Sequence, residues 1–211
     1  DSYPEGEFLC YSEQDIADAQ REIDELTRQG LLFSHESEHK PAVYSGIIKS
    51  MCLNVSHLCN LRCEYCFADG GTYNGAAENM SLDVARKAID MIVSKSANRH
   101  NLEVDFFGGE PLLNFDVVKK TVEYARSIEK AHNKNFRFTI TTNAMLLNDE
   151  IIDFFNKEMY NVVVSIDGRR SVHDCVRKTA SGKGSFDTAI KNALRFKQLR
   201  KGQYYIRGTY T

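Results

Sequence analysis

The run "LEVDFFGGEPLLNFDVVKKTVEYARSIEKAHNKNFRFTITT", residues 102–142, decides the fold. Its opening "LEVDFF" reads as a strand, "FDVVKKTVEYARSIEKA" (115–131) as a helix and "FRFTITT" (136–142) as a second strand. Strand, helix and strand in immediate succession imply parallel strands joined by a right-handed crossover. The same alternation continues outward on both sides. Upstream lie the strand "IIKSMCLNVS" (47–56) and the helix "SLDVARKAIDMIVSKSA" (81–97), which opens on a capping Ser81. Downstream follow helix "DEIIDFFNKE" (149–158), strand "YNVVVSI" (160–166), helix "FDTAIKNALRFKQLR" (186–200) and strand "YYIRGTYT" (204–211). Five strands and four intervening helices over residues 47–211 predict an α/β class fold with a curved parallel sheet. They are too few for a closed eight-stranded barrel.

In parallel α/β folds the active site lies at the carboxyl ends of the strands. "HLCNLRCEYCF" (57–67) follows the first strand and "GGEP" (108–111) the second. The third ends in "TTNA" (141–144), the fourth in "SIDG" (165–168), and the fifth carries Arg207. Polar and glycine-rich residues therefore gather on one edge of the sheet. This convergence weighs more than any single motif.

"CNLRCEYCFADGG" (59–71) holds three of the six cysteines, Cys59, Cys63 and Cys66. A structural zinc site takes four ligands, commonly two separated pairs. Here Cys10, Cys52 and Cys175 are scattered singly and read as ordinary, partly buried thiols. Three thiolates in one loop match three irons of a [4Fe–4S] cluster, leaving the fourth iron open for a substrate or cofactor. The competing reading is a zinc ion completed by His57 or a distant Cys; His57 reads better as loop packing.

The CxxxCxxC triplet, with Tyr65 before its last Cys and placed after the first strand of a βα series, resembles the radical S-adenosylmethionine (SAM) superfamily. The resemblance implies a partial parallel (β/α) barrel with five of about six strands present. It implies that SAM chelates the open iron and is reductively cleaved to methionine and a 5′-deoxyadenosyl radical. Cys59, Cys63 and Cys66 become the metal ligands, and Tyr65, Gly108, Gly109, Glu110, Asn143, Ser165, Asp167 and Arg207 the cofactor-binding set. Glu110 is expected to accept from the SAM ammonium, with Gly108 and Gly109 admitting close backbone approach. Ser165 is expected at the ribose or carboxylate, and Asp167 either beside it or shaping the turn before Gly168. Arg207 is expected to pair with the methionyl carboxylate. Ala144 stands where the family pattern has Gly, which leaves the turn after Asn143 open. No catalytic acid or base can be named.

"FRFTITTNAMLLND", "NVVVSIDGRRSVHDCVR" and "GKGSFD" resemble the SPASM branch, which includes anaerobic sulfatase maturases and enzymes that modify ribosomal peptides. "LEVDFFGGEPLLNFDVVK" and "CNLRCEYCFADGGTY" are most similar to maturases of the cysteine-rich SCIFF peptides. That likeness implies thioether bonds from a Cys sulfur to an α-carbon. It also implies a Cys-rich precursor peptide bound through its leader, an electron donor such as a flavodoxin or ferredoxin, and auxiliary [4Fe–4S] clusters in a C-terminal part beyond this sequence. The alternatives are a formylglycine-forming sulfatase-type maturase and, in another class, a non-enzymatic iron–sulfur or zinc-binding module.

Residues 1–33 are expected to be a remnant of a winged-helix peptide-recognition element. Their "SEQDIADAQREIDELTRQG" reads as a helix capped by Ser12 and ended by Gly30. Residues 34–46 are polar and Pro-containing, a linker, and residues 47–211 the radical SAM core, incomplete at its C-terminus. The start lacks a Met and looks like a cut. Net charge is −2, so no general attraction to nucleic acid or membrane follows. With no signal peptide or membrane-length apolar run, a cytoplasmic setting with reduced thiols is expected. "GKGS" (182–185) lacks the phosphate-loop spacing and reads as a turn with Ser185 capping the next helix; the basic residues near 195–201 read as a solvated helix end.

Overall fold

The computed structural model describes residues 12–33 and 46–210. The chain divides into two units, Asp1–Ser45 and Gly46–Thr211. In the first, α1 (Glu13–Arg28) starts at Ser12, whose side chain accepts from Asp15 N while the Asp15 carboxylate accepts from Ser12 N, a reciprocal capping box. Gly30, at φ 70°, follows the helix end. No residue of α1 is buried, and Ile16 and Ile23 of its apolar stripe are exposed. Most of the expected linker, residues 34–45, lies outside the described residues, as does Cys10.

The second unit is a five-stranded sheet in the order β1-β3-β4-β5-β7, every neighbouring pair parallel. Its strands are β1 (Ser50–Ser56), β3 (Asn101–Gly108), β4 (Asn135–Thr142), β5 (Met159–Ser165) and β7 (Gln203–Arg207). The crossovers are α2 (Leu82–Lys95), α3 (Phe115–His132), α4 (Asp149–Glu158) and α6 (Phe186–Leu199). Side chains alternate across a strand. Leu102, Val104 and Phe106 of β3, with Phe136, Phe138 and Ile140 of β4, enter the core against Ile89, Val118, Val122, Ile152 and Phe196 of the helices. The intervening residues, Asp105, Thr139 and Asn161 among them, face the helix-free side. The sheet is therefore apolar on one face and polar on the other, as an open parallel barrel requires. Among the described residues no helix is long and apolar enough to cross a membrane.

The sequence pattern missed several short elements. β2 (Leu61–Cys63) pairs antiparallel with β6 (Arg177–Thr179), and α5 (Arg170–Val176) leads into β6. Other expectations need correction. Ser185 stands at the start of α6, but its hydroxyl makes no cap. The Asp174 carboxylate caps instead, accepting from Ser185 N and Phe186 N at 2.8 Å each. Arg200 is not part of a solvated end: it is buried and donates to the carbonyls of Phe155, Met159 and Gln203. Cys52 and Cys175 are exposed rather than partly buried.

Candidate metal centre

The segment from Ser56 to Gly71 is pinned to the end of β3 by backbone contacts only glycine permits. Gly109 N donates to Ser56 O at 2.7 Å and Glu110 N to Leu58 O at 2.8 Å. A Cβ on Gly108, which sits at φ +135°, would lie 2.3 Å from Ser56 O; one on Gly109 would lie 2.3 Å from Leu58 O. Backbone cannot yield to such an overlap as a flexible side chain would. Gly109→Ala is expected to destabilise the chain by about 1–3 kcal/mol and to lower iron uptake, read by urea denaturation and iron content. A variant with wild-type values of both would refute the close-approach role.

The far side of the loop is held by the short β2–β6 pair, in which Cys63 faces Arg177, and by Glu64 N donating to Val176 O at 2.9 Å. Asn143 reaches across from the end of β4, its Nδ2 lying 3.8 Å from Cys59 Sγ and 2.8 Å from Asn60 Oδ1. The turn left open by Ala144 is resolved: Ala144 takes the left-handed conformation at φ 65° and is fully buried. Thr142 Oγ1 accepts from its N–H, and Asn143 Oδ1 accepts from Met145 N.

These elements enclose a cavity of about 270 Å³ lined by Cys59, Cys63, Cys66, Tyr65, Gly108, Gly109, Glu110, Asn143, Ser165 and Arg207. Ten of the eleven residues expected from sequence thus meet on one cavity. The eleventh, Asp167, stands behind the wall. Its carboxylate accepts from Arg177 Nε at 2.8 Å, from Thr209 N at 2.9 Å and from the Tyr65 hydroxyl. Burial opposes its charge, but these donors outweigh burial and hold the carboxyl below its ordinary range. Asp167 therefore organises the wall and does not front it. His57 packs on the Tyr73 ring and does not line the cavity.

The lining includes residues that sequence reading overlooked: Arg177, Phe67, Phe107, Thr141, Thr142 and Thr209. Arg177 is buried, lies over the Tyr65 ring at 5.4 Å and opposes the burial-driven rise in the Cys63 thiol pKa. It closes a ring of bonds: Asp167 N donates to His173 Nδ1, His173 Nε2 meets Ser185 Oγ, and Ser185 Oγ donates to Arg177 O. Burial, with the nearby Arg177 charge, lowers the His173 pKa. The available signal was His173 and Arg177 four apart in "VHDCVR". Phe67 stacks on Phe107 at 6.3 Å and stays exposed.

Glu110 is fully buried, and three donors of the chain itself occupy its carboxylate: Leu112 N at 3.1 Å, Thr142 Oγ1 at 2.8 Å and Asn143 N at 2.8 Å. It ties the end of β3 to the end of β4. Burial pushes its pKa up to about 7 from 4.5, against the lowering effect of those bonds. Between these values the folded chain holds a proton that the unfolded chain has lost. The contribution of Glu110 to stability is therefore full below pH 4.5 and falls as pH rises through about 7. Glu110→Gln cannot titrate. Urea denaturation at about pH 5 and about pH 8 should show the variant gaining on wild type at the higher pH. A constant difference would contradict the shift.

The donor set suits a cluster better than one ion. Burial pushes the Cys59 thiol up to about 11 and raises Cys63, so these sulfurs need a cationic group to hold them as thiolates. Among the described residues, no three His, Cys, Asp or Glu side chains lie close enough together to hold a single metal ion. A tetrahedral zinc needs that convergence. A cubane takes one thiolate per iron, and all three cysteines line this cavity.

Comparison with known proteins agrees with this geometry. The radical SAM superfamily model matches residues 53–207, and the chain belongs to that superfamily. Among relatives, a cysteine-type anaerobic sulfatase-maturating enzyme of Clostridium novyi is 30% identical over 137 residues, covering 64% of this chain and 36% of that protein. The radical SAM cyclopropyl synthase TigE of Paramaledivibacter caminithermalis is 26% identical, covering 94% of this chain and 40% of its own. A solved structure of native anSMEcpe with bound AdoMet and Cp18Cys peptide superposes at TM-score 0.65 with 25% identity, covering 75% of this chain and 42% of that one. The chain thus spans less than half the length of these relatives.

Proposed function

We propose that Cys59, Cys63 and Cys66 hold a [4Fe–4S] cluster, that SAM occupies the adjoining cavity, and that the whole polypeptide modifies a peptide. The observation carrying this reading is the meeting of ten motif residues, from the ends of four parallel strands and the loop after the first, on one cavity. When bound, the cluster and SAM together supply one-electron reductive cleavage of the sulfonium and hydrogen-atom abstraction. The protein supplies the rest. Arg177 places positive charge beside Cys63, favouring its thiolate. Arg207 offers a guanidinium fork to a carboxylate, and Ser165 a hydroxyl. Glu110 fixes the two strand ends against which SAM would rest. The stacked Phe67 and Phe107 rings add an apolar edge to the lining.

The bond formed, in this reading, is a thioether from a Cys sulfur to an α-carbon in a Cys-rich precursor peptide held by its leader. A flavodoxin- or ferredoxin-type donor supplies electrons in the cytoplasm, and auxiliary clusters belong to a C-terminal region. Its support is the likeness of the cluster-loop and "GGEP" segments to peptide thioether maturases. A second reading, formylglycine formation, is supported by the 30% identity to a sulfatase-maturating enzyme. One anaerobic reaction with each peptide type separates them. Thioether formation removes two hydrogens and consumes a thiol; formylglycine leaves an aldehyde that a hydrazide traps. Formylglycine formation from Cys also loses the thiol, so the deciding product is a sulfur-retaining peptide two hydrogens lighter. A trapped aldehyde without that product would overturn the thioether reading.

A further inference from the structure

On its helix-free face the sheet carries one transverse row of polar side chains. Cys52 pairs in register with Asp105, Asp105 with Thr139, Thr139 with Asn161, and Asn161 with Gln203, so the row crosses all five strands at one level. All five line a second cavity, of about 560 Å³. Two residues further along β3 and β4, roughly 7 Å, Phe107 and Thr141 already line the cluster cavity. The row is therefore the layer next to the candidate SAM site.

Two of its oxygens are buried without any donor, Asp105 Oδ1 and Asn161 Oδ1. They are the only such side-chain atoms among the described residues. Buried polar atoms are nearly always satisfied, so each exception calls for an explanation such as a ligand or water. Both sit at the same level with one strand between them, roughly 10 Å apart. Burial raises the Asp105 pKa, and Arg207, from the cluster cavity, opposes that rise through its charge.

We propose that Asp105 and Asn161 accept hydrogen bonds from backbone amides of an extended peptide crossing this row, and so position the residue to be modified beneath the SAM cavity. This rests on the peptide-modifying reading above. Amide donors fit better than a cation. Arg137 lines the same cavity with its guanidinium 5.0 Å over Tyr160, and Arg207 adds a second positive charge nearby. Thr139 and Gln203 can each donate or accept, complementing the alternating N–H and C=O of a peptide.

The test uses the full-length polypeptide, iron-loaded, with whichever of two synthetic peptides wild type modifies: a Cys-rich precursor or a sulfatase-type Cys peptide. Asp105→Ala and Asn161→Ala should each raise KM for that peptide about tenfold and lower the peptide product formed per SAM consumed. Asp105→Asn keeps an acceptor oxygen and should raise KM only about threefold. Iron content and circular dichroism check that the variants fold. Unchanged KM and coupling in all three would mean that water alone fills the row, overturning the inference while leaving the maturase reading intact. An Asp105→Asn defect as large as that of Asp105→Ala would overturn the amide assignment in favour of a cationic side chain. If wild type modifies neither peptide, the maturase reading itself falls, and this inference with it.

Discussion

A variant with Cys59, Cys63 and Cys66 all replaced by Ala is expected to emerge from anaerobic reconstitution with about four fewer irons than wild type and correspondingly less absorbance. The expectation follows from the lining of a single cavity by all three sulfurs and from their failure to converge on one ion. Cys52 and Cys175 are exposed, and neither lines that cavity, so they offer no substitute. SAM cleavage should fall below detection with that loss. Absorbance and iron content equal to wild type in the triple variant would show that the cluster is held elsewhere.

Arg177→Met is expected to have the next largest effect. The Arg177–Asp167 pair is nearly inaccessible, with side chains 8% and 1% exposed. Removing one member of a buried pair leaves the other charge uncompensated, at a cost of about 3–5 kcal/mol. For a chain of this size that is roughly a 10 °C fall in Tm. The methionine fills similar volume, so lost charge dominates over lost packing. Arg177→Met combined with Asp167→Asn should recover part of the loss, because the orphaned charge is gone. Because β6 clamps the cluster loop at Cys63, the single variant should also take up iron more slowly. A single variant as stable as wild type would show that Tyr65 and Thr209 suffice to satisfy Asp167.

The central sheet was legible because parallel strands and their crossover helices are long and periodic. All five strands and four helices lie within a few residues of their expected places. The edge was legible because its residues are local: each motif follows its own strand, and "GGEP" needs glycine for reasons seen only at the Ser56 and Leu58 carbonyls. What escaped were contacts made across long separations. β2 and β6 have three residues each, too few to show a period, and Leu61 meets Thr179 only after the chain has folded. Asp167 was placed on the cavity because "SIDG" puts it there in sequence. Its capture by Arg177, Tyr65 and Thr209 turns it behind the wall. Glu110 lines the cavity, where it was expected, but its ties to the next strand end were not foreseen. Thr142 and Asn143, adjacent to it only through strand pairing, occupy its oxygens. Ser185 lost its expected cap to Asp174 for the same reason.

The central claim is that the three-cysteine loop and the strand ends form a SAM-cleaving site. Its most direct test is to incubate the iron-loaded, full-length polypeptide anaerobically with dithionite and SAM, and to quantify 5′-deoxyadenosine and methionine. The account predicts both products in equal amounts from wild type and neither from the triple cysteine variant. A fully iron-loaded wild type that leaves SAM intact would contradict it.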